Sequence, residues 1–241
     1  MATQAFKPVS HSTAPLRLSG MLRNTGVAIA VGGASAAMAA FAGLSLWYGG
    51  LAAWSDAGSL QARWSVNAWR EGTGPAASPA QWLAARDDLQ AALHTAPNNA
   101  QLLDDLGFLH ASRAQALGTP AAGSAVMLKQ QSLLADAIVS YRASTSLRPT
   151  FPYSWAYLAL AKHLLGQRDA EFWLAFDKAL HYGHAEAGVQ PALAQMAFAD
   201  WPALGGDRQN RLTRMVSTAP AASRKRLLDM AAQGGVTLPG S

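Results

Sequence analysis

Residues 137–183 read AIVSYRASTSLRPTFPYSWAYLALAKHLLGQRDAEFWLAFDKALHYG. Apolar residues recur there at intervals of three and four, the spacing that lines one face of a helix, and never alternate long enough for a half-buried strand. Three short series set small residues among large ones: Ala137-x3-Tyr141, Trp155-x2-Leu158-Ala159 and Phe176-x2-Ala179-Leu180. Small side chains let two helices approach, and the large ones fill the space beside the contact. Pro149 ends one helical segment and Gly166 serves the turn after the next. The stretch predicts helices over 125–147, 152–166 and 169–182, joined by short turns.

The same order stands upstream. Ala85-x3-Leu89-x2-Ala92-Leu93-x3-Pro97 is followed by Leu103-x2-Leu106-Gly107, and Ala85 to Pro97 spans the same twelve residues as Ala137 to Pro149. Ser78-Pro79 opens the first of these helices with a capping serine and a proline in the first turn. Further helices are predicted over 79–95, 99–117, 186–199, 206–217 and 221–233. Paired helices recurring in this way resemble the tetratricopeptide repeat, with about two and a half copies within 79–183. The stretch 115–132 is longer than a standard turn and Phe176 arrives one residue late. Ordinary amphipathic helices whose spacing coincides are the other reading. The periodicity predicts an all-α fold, and the resemblance implies that its helices form an array of α-hairpins, closed by C-terminal capping helices and preceded by the N-terminal transmembrane helix read below.

A narrower resemblance lies in Leu147-Arg148-Pro149-Thr150-Phe151-Pro152-Tyr153-Ser154-Trp155-Ala156-Tyr157-Leu158-Ala159, followed by Gly166-Gln167-x-Asp169 and Gly188-Val189-Gln190. These residues resemble the VpsP-type family of membrane-anchored proteins associated with bacterial exopolysaccharide biosynthesis, over residues 80–200. Gly183-His184-Ala185-Glu186-Ala187 departs from the family by lacking its Pro and Trp before Gly-Val-Gln. Members carry an N-terminal span and a short repeat domain and act as accessories. The resemblance therefore implies a non-catalytic scaffold for protein partners of an envelope complex. Periplasmic assembly chaperones of cytochrome maturation, secretion or division share the layout.

From Thr25 to Ser55 the chain runs 31 residues without a charge. Its apolar core, Val27 to Tyr48, is long enough to cross ~30 Å of hydrocarbon as a helix. Trp47, Tyr48 and Trp54 fall where amphipathic rings prefer to lie, at the membrane boundary. Lys7, Arg17 and Arg23 precede the span with no acid among them, while Asp56 and Glu71 join Arg63 and Arg70 after it. The positive-inside bias puts the N-terminus in the cytoplasm and the helical domain across a bacterial inner membrane, in the periplasm. The expected organisation is a disordered tail over 1–24, a transmembrane helix over 25–50, and a linker with a first helix over 51–78. The repeat region follows over 79–183, C-terminal helices over 184–234 and a tail over 235–241. A cleaved signal peptide is the alternative for the small residues at 34–42, but its apolar region is shorter, ~7–15 residues. A buried core helix apolar on all sides would need a large domain around it. Gly32, Ala36 and Ala40 on one line, with Gly33 and Ala37 on the next, form a face on which a second copy could pack. Alanine richness alone produces the same spacing.

The net charge of +5 is concentrated at the start: after Arg23 there are 16 basic and 14 acidic residues, a net of +2. A nucleic-acid surface needs a basic stripe to neutralise phosphates, and Arg224-Lys225-Arg226 is too short to be one, so no nucleic-acid partner is expected. With no cysteine, disulfides, thiolate metal sites and cysteine nucleophiles are excluded.

No motif calls for chemistry. His181-x2-His184-x-Glu186 could bring two imidazoles to a carboxylate, but helical zinc motifs use i and i+4, and Gly183 is expected to break the helix between these histidines. The acidic pairs Asp87-Asp88 and Asp104-Asp105 point about 100° apart on a helix and read as solvated faces. There is no nucleophile elbow, P-loop or dinucleotide fingerprint. Catalytic residues, metal and cofactors are accordingly expected to be none. Among enzymes, a glycan-active one with a single acid would have to use Glu71, Glu171 or Glu186, the only glutamates.

What remains is surface for binding. In a hairpin array the first helix of each pair lines a concave groove. The candidates are Gln101, Asp104, Phe108 and Ser112 from one hairpin, with Tyr153, Ala156, Leu160 and His163 from the next. This mixed polar and aromatic set suits an extended peptide or a partner helix, unless a C-terminal helix fills the groove.

Overall fold

The computed structural model describes residues 19–238, with side chains from Ala37 onward except at Ala52. Lys7, Arg17, residues 1–18 and residues 239–241 lie outside the described residues, as do the side chains of Arg23, Gly32, Gly33 and Ala36. The helices are α1 Ser19–Glu71, α2 Pro79–Thr95, α3 Ala100–Ala116, α4 Ala125–Leu147, α5 Pro152–Leu164, α6 Ala170–Gly183, α7 Gln190–Ala199, α8 Gly205–Thr218 and α9 Ala221–Gln233. A short 3-10 turn, Trp201–Leu204, joins α7 to α8, and no strand occurs among the described residues. The fold is all-α.

The chain divides into two compact units, Met1–Gly50 and Leu51–Ser241. In the first, α1 already begins at Ser19, inside the stretch expected as tail. Met38, Phe41, Leu44, Leu46, Trp47 and Tyr48 are exposed. Among the described residues one helix is long and apolar enough, by length and composition, to cross a membrane, over Ala37–Glu71.

The second unit is held by consecutive packing. Each helix from α2 to α6 packs on the next in sequence, most extensively α3 on α4 and α5 on α6. The C-terminal part of α1 joins through buried Ala62 and Val66, and the Ser55 hydroxyl donates to the Ala92 carbonyl at 3.0 Å. α7 packs against α5 and α9, and α8 against α9. The packed region continues past the expected end at 234, since Leu238 is buried.

Two linkers of this unit are copies of one another. α2 ends at Ala96 with φ −130° and ψ 72°, its N–H donating to Ala92 O; α4 ends at Arg148 with φ −132° and ψ 71°, donating to Ser144 O. In each a proline follows, and the residue after next donates back across the turn, Asn99 to Ala96 O at 3.1 Å and Phe151 to Arg148 O at 3.0 Å. The buried residues repeat in the same register: Ala85 with Ala137, Leu89 with Tyr141, Leu106 with Leu158 and Gly107 with Ala159. At Gly107 the contact is so close that a β-carbon would lie 2.8 Å from the Tyr141 ring.

The structure departs from expectation at the start of α7. α6 ends at Gly183, so the helix stops between His181 and His184, and a β-carbon at Gly183 would meet Pro152 Cβ at 2.7 Å. Glycine is required for that approach. α7 starts at 190 rather than 186 because the intervening residues form turns, with Glu186 N–H donating to Gly183 O and Val189 N–H to Glu186 O.

Candidate functional site, a cavity lined by tyrosine and arginine

α3 and α5 present one face each to a cavity of about 470 Å³, whose far wall is α7 and α9. Phe108, Ser112 and Gln115 come from α3, and Tyr153, Tyr157 and Leu160 from α5. Arg70 of α1, Gln195 of α7, and Arg226 and Met230 of α9 complete the rim, with Tyr141 of α4 behind. A smaller cavity of about 180 Å³ shares Arg70, Tyr153 and Tyr157 and adds Gln101, Asp104 and Phe151. The C-terminal helices wall the groove on one side and leave this space between.

The three tyrosines are packed as a series. Ring centroids lie 5.8 Å apart for Tyr141 and Tyr157 and 6.4 Å for Tyr153 and Tyr157. Burial pushes all three phenols above their ordinary value, so the hydroxyls stay protonated at neutral pH. Tyr153 donates to Glu186 Oε2 at 3.2 Å, and a β-carbon at Gly188 would stand 2.7 Å from its ring, so the α6–α7 turn closes against it. The Arg70 guanidinium lies 4.7 Å from the Phe108 ring centre.

Beneath the cavity lies a charged network that corrects the reading of Asp104-Asp105 as a solvated face. Asp105 is fully buried and Asp104 is 7% exposed, because α1 and the α4–α5 linker bring arginines over them. Arg70 donates to Asp105 Oδ1 at 2.8 Å, and Gln101 to the same oxygen at 3.2 Å. Asp104 pairs with Arg148 and accepts from the Ser154 hydroxyl at 2.8 Å; burial raises its carboxyl above the ordinary value against the pull of Ser144, Ser154 and Arg148. Asp87 and Asp88 are exposed.

Of the residues expected to meet partners, Phe108, Ser112, Tyr153 and Leu160 come together in the larger cavity, and Gln101 and Asp104 join Tyr153 in the smaller. His163 lines neither: it is half-buried beside Phe172, where desolvation lowers its imidazole to about 4. Ala156 is fully buried. Tyr157, four residues after Tyr153, could have been read from helical spacing. Arg70 and Arg226 come from elements remote in the chain, and no local pattern signals them.

Two of the three glutamates have defined partners. Arg142 and Lys162 grip Glu171, and the Arg142 hydrogen bonds above all hold its carboxyl down to about 2, which leaves it ionised and unfit to donate a proton. Glu186 is the one beside the cavity, through Tyr153. Protonated phenols, guanidinium groups and flat aromatic faces equip the cavity to bind by stacking and hydrogen bonding.

No model of a known protein family, no curated protein and no solved structure matches the chain.

Proposed function

We propose that this chain is a membrane-anchored, non-catalytic scaffold whose tetratricopeptide-like hairpins hold protein partners of a bacterial envelope complex, in exopolysaccharide synthesis and export. The observation that carries the reading is the cavity rimmed by tyrosines and arginines to which α3 and α5 each present a face, each being the first helix of a closely packed pair. The copied linkers at Ala96 and Arg148 support a repeat origin for those pairs. The apolar N-terminal helix supports anchoring, and the basic residues before it favour a cytoplasmic N-terminus with the hairpins in the periplasm. The exopolysaccharide assignment rests on the VpsP-type resemblance.

In this reading a partner segment lays an aromatic or aliphatic side chain against Tyr153, Tyr157 and Leu160. Its backbone exchanges hydrogen bonds with the tyrosine hydroxyls and with Gln115 and Gln195. α7 and α9 limit the segment to a few residues.

In-cell photocrosslinking from Phe108, Leu160 and Gln195 tests it, with Val139, exposed on α4, as the outward control. Adducts from the cavity positions with glycosyltransferases or export proteins are expected. Adducts with cytochrome-maturation or division proteins would assign the chain to assembly chaperones instead. Crosslinks from Val139 alone would overturn the cavity as the binding surface. Glu186→Gln is expected to leave the cellular phenotype intact; its loss in a folded variant would point to glycan chemistry.

A further inference from the structure

A second cavity, of about 690 Å³, lies on the other side of the α6–α7 turn, between the end of α6, α8 and the start of α9. Its lining brings His181 and His184 together with Arg211 and Arg214 and includes no acidic residue. We infer that it binds a phosphate monoester carried on an organic molecule. This goes beyond the tyrosine-lined cavity and does not depend on it.

The three arginines of α8 are treated differently by the fold. Arg208 is satisfied by Asp177 with two hydrogen bonds, at 2.9 and 2.8 Å. Arg211 reaches carboxylates only at 3.7 Å, to Asp177, and 3.9 Å, to Asp207. Among the described residues no carboxylate pairs with Arg214, which stands three residues on, on the same helix face. Arg214 thus adds positive charge at the cavity that no carboxylate neutralises, and a bound anion would do so. α9 begins beside them after Pro220 with no side-chain cap and no acid in its first turn, which adds to the positive potential.

The histidines thus face guanidinium groups, which repel a metal cation. Two imidazoles, the Nδ1 of His184 lying 3.3 Å from His181 O, and two guanidinium groups line one cavity, a set of donors that suits the several oxygens of a tetrahedral phosphate better than a planar carboxylate, which one arginine saturates. The volume is that of an organic ligand rather than a bare ion, and Leu180, Met215 and Pro220 form an apolar wall for its body. Gln190 lines the cavity at 1% exposure; its amide N–H donates to His184 O at 2.8 Å, and its carbonyl oxygen is buried without a partner. The amide hydrogen bond to His184 O fixes the His184 end of the lining.

The ligand's source is either a soluble sugar phosphate or a lipid with a phosphomonoester headgroup. The full chain in detergent micelles is titrated calorimetrically with glucose 1-phosphate, with glucose as control, and examined by native mass spectrometry in micelles containing phosphatidic acid. The expected result is saturable binding in one arm, absent with glucose and weakened at least about tenfold by Arg214→Gln, an exposed position where the fold is not at stake. Arg211→Gln is expected to act alike. The arm that responds identifies the source. Binding in neither arm, or binding that both variants leave unchanged, overturns the site.

Discussion

Gly107 and Tyr141 make a close contact behind the candidate site, and the outcome of changing either follows from their geometry. A methyl group at 107 would sit 2.8 Å from the Tyr141 ring, so Gly107→Ala is expected to cost about 1–3 kcal/mol of stability in urea unfolding. Tyr141→Leu in the same chain should recover part of that loss, a coupling that a double-mutant cycle reads directly. Asp104 and Arg148 behave differently, because each is the other's compensation. Asp104→Ala leaves the partly buried guanidinium of Arg148 without its counter-charge and is expected to cost about 2–4 kcal/mol, whereas removing both charges with Asp104→Ala and Arg148→Met costs less than the sum. The sequence alone read Asp104-Asp105 as solvated, because nothing in a dipeptide shows that arginines at 63, 70 and 148 will fold over it.

Among elements, helix starts were the most legible feature. The Ser78 side chain caps α2 by accepting from Gln81 N, while the Ser78 N–H donates in return to Gln81 Oε1 at 3.0 Å, as the Ser-Pro pair foretold. Ser78→Ala is expected to lower stability by ~1 kcal/mol, and Ser78→Gly by only a few tenths, measured by thermal unfolding. The start of α7 was legible less well. Its boundary depends on how Gly183 and Gly188 pack against Pro152 and Tyr153, contacts that local preference does not encode.

For the molecule as a whole, acid unfolding is expected in two separable steps. His163 has its imidazole lowered from 6.5 to about 4 by desolvation, so protonation favours the unfolded chain. Its contribution is complete above about pH 6.5 and is lost as pH falls toward 4. Glu171, held to about 2 mainly by Arg142, contributes above about pH 4.5 and is lost as pH falls toward 2. Melting temperature followed across this range should lose its first step in His163→Gln and its second in Glu171→Gln. A single unchanged acid limb in both variants would show that other groups control it.

Helical periodicity, the Ala-to-Pro spacing and the charge-free N-terminal run are properties of neighbouring residues, and from them the all-α character of the described residues and the apolar helix among them could be read directly. Those signals are local, since hydrogen bonding within a helix and transfer of apolar side chains out of water act over one or two turns. The cavities are of another kind. Arg70 and Tyr157 lie 87 positions apart in the chain, and Arg214 and His181 meet across a turn and two helices. Only the packing of helix on helix decides which side chains share a space, and so which charges are neutralised and which are left facing a ligand.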